Sequence, residues 1–152
     1  MAILAAKTYD PATAVNKVAT AATVLTAFDT TNLRLTFTVP SNGTVFVRLG
    51  GGAVTGATTF AQILLGVLEG TTVRGRVAPQ TTQNGTAIAS TMAVPDAMFP
   101  VTGLTPGATL TWDAAYAIEV AGGSGAVYRY GGPNDTTTTN AAGGIYFEVW
   151  SA

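Results

Sequence analysis

The sequence predicts an all-β protein, an antiparallel sandwich or barrel, on three observations. Apolar and polar residues alternate with a period of two in several short runs. Clusters of Gly, Pro and Asn separate those runs at fairly regular intervals. Threonine, a β-branched residue that suits a pleated surface, fills many of the polar positions. A chain of 152 residues is long enough for one domain with a substantial core.

Residues 1–23 are rich in alanine, which favours helix. Val15, Val18, Thr20 and Thr23 give only weak helical periodicity, and Pro11 interrupts any continuous run. This segment is expected to be an extended N-terminal arm that orders against something else, ahead of a domain spanning 24–152. The stretch 33-LRLTFTVPSNGTVFVRL-49 is a pair of alternating runs about a turn. Leu33, Leu35, Phe37 and Val39 share one face, and Arg34, Thr36 and Thr38 the other. After 40-PSNG-43, Val45, Val47 and Leu49 continue an apolar face. Thr44 and Arg48 lie opposite, and so does Phe46.

The run 63-ILLGVLE-69 is apolar on both faces, which fits a central or covered strand. Arg74 and Arg76 share one face of the next stretch, read as solvated. In 109-TLTWDAAYAIEV-120, Leu110, Trp112, Tyr116, Ile118 and Val120 oppose Thr109, Thr111, Asp113 and Glu119. Tyr128 and Tyr130 share a face of 126-AVYRY-130. The polar 131-GGPNDTTTTNAAGG-144 reads as a surface loop. In 145-IYFEVWS-151, Ile145, Phe147 and Val149 oppose Tyr146, Glu148 and Trp150. Further turns are expected at 49–56, 69–72, 84–85, 105–107 and 122–125.

Composition narrows the chemistry. Charged residues make up 10% and the formal net charge is −1, against a usual charged share of about a quarter. The seven cations are scattered apart from Arg74 and Arg76, so no electrostatic footprint for nucleic acid is present. With no cysteine and no histidine, thiolate chemistry, the usual general base and the commonest metal ligand are all missing. The longest apolar run, 60-FAQILLGVL-68, is too short to span a membrane. Residues 1–6 lack the marks of a signal peptide.

No catalytic, cofactor-binding or metal-ligating set emerges. Asp113 and Glu119 share a strand face, but six residues set them roughly 20 Å apart, too far for a glycosidase pair. Gly50, Gly51 and Gly52 follow a strand, yet no GK[ST] follows them. Asn134 and Asp135 read as an Asx turn rather than a calcium loop. The outward aromatics Phe46, Tyr146 and Trp150 carry the most information. They face a second sheet, or another subunit, or a sugar.

Three segments together carry a resemblance: FTVPSNGTVFVRL, 103-GLTPGATLTW-112, and the closing strand GIYFEVWSA. Over roughly 24–152 the chain resembles trimeric jelly-roll domains of the TNF/C1q type, and within them the capsid decoration (cement) proteins of tailed bacteriophages. The resemblance implies a two-sheet jelly roll and a non-enzymatic virion protein. It also implies synthesis in a bacterial host cytoplasm and a homotrimer on the outer capsid surface. Its partners would be copies of itself and the major capsid protein, with no nucleic acid, membrane or cofactor. Phe46, Tyr146 and Trp150 would then form the subunit interface. The arm, through Tyr9, Asp10, Pro11 and Val15, would contact the capsid. The alternative is a tail or baseplate module that binds a host surface glycan.

Overall fold

The computed structural model describes residues 1–18, 24–55, 63–78, 92–93, 95–118, 127–133 and 142–152. Every regular element among them is a strand: β1 (Ile3–Tyr9), β2 (Val15–Val18), β3 (Thr26–Ala27), β4 (Arg34–Thr38), β5 (Val45–Gly51), β6 (Ala53–Thr55), β7 (Ile63–Glu69), β8 (Thr72–Val77), β9 (Met92–Ala93), β10 (Asp96–Val101), β11 (Thr109–Ile118), β12 (Val127–Tyr130) and β13 (Ile145–Ser151). Pairing is antiparallel throughout.

Two sheets share one strand order. One runs β1-β13-β5-β10 and the other β2-β12-β6-β9. Each strand of the second adjoins its counterpart in sequence, so the two form one four-stranded sheet creased across its middle. The facing sheet runs β3-β11-β7-β8, with β4 also on β11. Counted as eight lines in chain order, the first sheet reads first, eighth, third, sixth. The facing sheet reads second, seventh, fourth, fifth. That is the jelly-roll order, and the chain is an antiparallel β-sandwich of that topology.

Glycines make the crease. Gly51 and Gly52 have φ of 90° and 65°, where a Cβ is strained. A Cβ on Gly51 would strike the Gly144 carbonyl oxygen. Backbone bonds staple the crease: Gly51 N–H to Pro95 O at 2.9 Å, Gly52 N–H to Gly144 O at 3.0 Å, and Gly132 N–H to Pro11 O at 2.8 Å. The buried Tyr128 hydroxyl donates to the Gly51 carbonyl at 2.6 Å.

Between the sheets lie the expected inward faces, including Leu35, Phe37, Val45, Val47, Leu49, Trp112, Phe147 and Val149. Tyr128 and Tyr130 join them, with the Phe28 ring 4.8 and 6.0 Å from theirs. Strand β7 is central, as its two apolar faces predict. Its outer side meets a small second cluster of Leu25, Leu68, Ala115 and Ala117.

Residues 1–18 are extended, but they do not stand apart from the sandwich. β1 pairs with β13 and β2 with β12 of the same chain. Leu4, Ala5, Tyr9 and Val15 pack against the core. Alternation within β1 is blurred by the two alanines Ala5 and Ala6, so its apolar side was not legible as a strand face. The division of the chain expected at residue 24 therefore does not follow the packing. Arm residues 19–23, Phe60, Glu119, Val120, Asn134, Asp135 and the turns at 84–85 and 122–125 lie outside the described residues.

Candidate functional site

The first sheet turns one face to the core and the other outward. Strand registry assembles the outward face row by row, because side chains at Cα partners point the same way. At the end near the chain termini, Ile3, Trp150, Phe46 and Pro100 stand in one row across β1, β13, β5 and β10. The next row is Ala6, Glu148, Arg48 and Met98. The third is Thr8, Tyr146, Gly50 and Asp96.

Phe46, Tyr146 and Trp150, predicted from alternation alone, are thus brought to one face, and Phe46 and Trp150 are direct cross-strand partners. All three are half-buried within the chain. Sequence reading missed their neighbours Ile3, Met98 and Pro100. Met98 and Ile3 are 48% and 54% exposed. The signal was present, since 96-DAMFPV-101 alternates outward Asp96, Met98 and Pro100 with inward Ala97, Phe99 and Val101.

The charges on this face are paired within the chain. Arg48 forks onto Asp96, Nε to Oδ1 at 3.3 Å and Nη2 to Oδ2 at 3.1 Å, the bidentate geometry that guanidinium favours. Its Nη1 lies 4.0 Å from Glu148 Oε2, and its Cζ lies 4.9 Å from the centre of the Tyr146 ring. The Trp150 indole N–H donates to Glu148 Oε2 at 2.9 Å. The Arg48 fork holds the Asp96 carboxyl below the ordinary aspartate value. Burial, with the adjoining Asp96 carboxylate, pushes the Tyr146 phenol up to about 12. One cation against two carboxylates leaves the face at net −1. Chemically it can bury an aromatic row against another protein while its polar groups stay satisfied.

The other predicted residues lie elsewhere. Tyr9 and Val15 turn toward the core, with the Tyr9 ring 6.1 Å from that of Tyr130. Asp10 is exposed, and Pro11 abuts Gly131 at the crease. Asp113 forms a cross-strand pair with Arg34, at 2.7 and 2.9 Å. Among the described residues no group of three or more His, Cys, Asp or Glu could hold a metal, and no helix is long and apolar enough to cross a membrane.

No protein-family model matches the chain, and no curated protein matches it.

Proposed function

We propose that the protein is a structural component of a tailed-phage virion, decorating and stabilising the outer capsid surface as a homotrimer. The observation that carries this is the outward face of the first sheet. An aromatic and aliphatic row crosses all four strands, beside charges already paired within the protomer. Interfaces between proteins are enriched in aromatics, Met and Arg and place them at their centre. A face of this kind suits burial against a second copy better than exposure. The jelly-roll order supports the same reading, because it matches the architecture the resemblance implies. Decoration adds stability by mass action, through binding to the assembled shell in preference to its parts. The major capsid protein is the partner this role requires, and no catalysis is involved.

The test is native mass. Wild type is expected at three times the 15.4 kDa of one chain. Phe46→Asp places a carboxylate in the apolar row and is expected to give a folded single chain with unchanged circular dichroism. A Phe46→Asp protein that keeps the wild-type mass would remove this face from the assembly.

A further inference from the structure

We infer that Asn42 is a latent site of covalent self-modification. The fold holds the Asn42–Gly43 peptide closed, and opening of this turn converts Asn42 irreversibly to aspartyl and isoaspartyl residues.

The turn 40-PSNG-43 requires glycine at its end. Gly43 has φ of 64°, where a side chain is strained, and a Cβ there would stand 2.6 Å from the Leu104 carbonyl oxygen. That requirement creates a chemical liability. Asparagine is thermolabile, and most so before glycine, where no side chain shields the following nitrogen. The Gly43 backbone nitrogen, on losing its proton to hydroxide, bonds to Asn42 Cγ. The Cγ–Nδ2 bond breaks, and ammonia leaves with a proton from water. Water then opens the resulting succinimide. Cleavage between Cγ and the Gly43 nitrogen gives aspartate. Cleavage between that nitrogen and the Asn42 backbone carbonyl carbon gives isoaspartate, whose main chain runs through Cγ and is one carbon longer.

Every group that must move for this reaction is held. The Gly43 N–H donates to the Pro40 carbonyl at 3.0 Å, and Gly43 is buried, so the nucleophile is both bonded and shielded. Asn42 Oδ1 accepts from the Thr44 N–H at 3.1 Å, and Asn42 Nδ2 donates to the Ala152 carbonyl oxygen at 3.4 Å. The Leu104 N–H donates to the Gly43 carbonyl at 3.0 Å, which docks the peptide against the neighbouring loop. Ring closure therefore waits on local opening, and its rate scales with the open fraction. Reclosure afterwards is impaired. Either product lacks the Nδ2 donor, and isoaspartate lengthens the main chain where bonds to Pro40 and Leu104 fix its path. Chemical change of the opened turn makes the opening irreversible.

The chain is incubated at mildly alkaline pH, folded and in urea, and residue 42 is followed by peptide mapping with enzymatic isoaspartyl methylation. A second pair of the same kind, Asn84–Gly85, calibrates the unfolded rate. In urea Asn42 and Asn84 are expected to convert alike, because local sequence alone then sets the rate. In the folded chain Asn42 is expected to convert at least about tenfold more slowly than in urea. Asn42→Gln, whose longer side chain closes the ring poorly, is expected to lose the signal at residue 42. In an Asn84→Gln background, isoaspartyl-42 chains isolated and refolded are expected to melt about 2–4 °C below the unconverted chain, as the loss of one hydrogen bond requires. Equal rates at Asn42 in the folded chain and in urea would overturn the inference. So would an isoaspartyl-42 chain that melts with the unconverted one.

Discussion

Tyr128→Phe tests the account of the crease at a single atom. Tyr128 is fully buried, and its hydroxyl donates to the Gly51 carbonyl at 2.6 Å. Phenylalanine keeps the ring and its edge contact with Phe28 at 4.8 Å, so no large cavity opens. What is lost is one short hydrogen bond, and the Gly51 carbonyl is left facing an apolar cluster. Stranding a buried acceptor costs about 1–3 kcal/mol. For a domain of this size each kcal/mol shifts Tm by roughly 2–4 °C, so a mid-range loss of about 2 kcal/mol predicts a fall of about 4–8 °C. Urea denaturation should show a lower midpoint at unchanged slope. Tyr130→Phe is the matched control. Tyr130 is 1% exposed in the same aromatic cluster, but its hydroxyl has no partner among the described residues. Removing that hydroxyl is expected to be neutral or stabilising. The reasoning fails if Tyr128→Phe melts within about 1 °C of wild type, or if Tyr130→Phe loses as much.

Gly51→Ala combines φ of 90° with a Cβ against the Gly144 carbonyl, and soluble folded protein is expected to disappear on expression. Deleting residues 1–18 removes the partner of β13 and uncovers core, so the truncated chain is expected to aggregate, as light scattering would show. Acid stability follows from three carboxyls. Asp96 is held low by the Arg48 fork and Glu69 by its bond from Arg74. At Asp29 burial pushes upward, but bonds from Asn32 and Thr31 outweigh it. Folded-state values below the unfolded ones give stability that is present at neutral pH and lost as pH falls through the folded values. The urea midpoint is therefore expected to hold from pH 7 to about 5 and to drop below about 4, less steeply in Arg48→Met.

The sandwich was legible because its faces alternate. Leu33 to Val39, Val45 to Leu49 and Ile145 to Val149 turn inward as their period predicts. The aromatics opposite them, Phe46, Tyr146 and Trp150, turn outward for the same reason. The crease was not legible. Gly50–Gly52 read as a turn that ends a strand, whereas their hydrogen bonds carry the strand line through a bend into β6. Such bonds join residues far apart in sequence, and no local pattern encodes them. β1 was obscured for a related reason: its alanines give little periodic contrast, and its place is fixed by registry with β13. The Arg48–Asp96 fork joins residues 48 apart, so neither partner announced the other. Both inward tyrosines of β12 shared a face in the sequence, but which face was core depended on the neighbouring strands.

The most direct test of the decoration role is gold labelling, with an antibody raised against this chain, of the virus particles that encode it, viewed by electron microscopy. Gold spread over the heads is the predicted result. Gold confined to the tail tip, or particles that bind none, would contradict it.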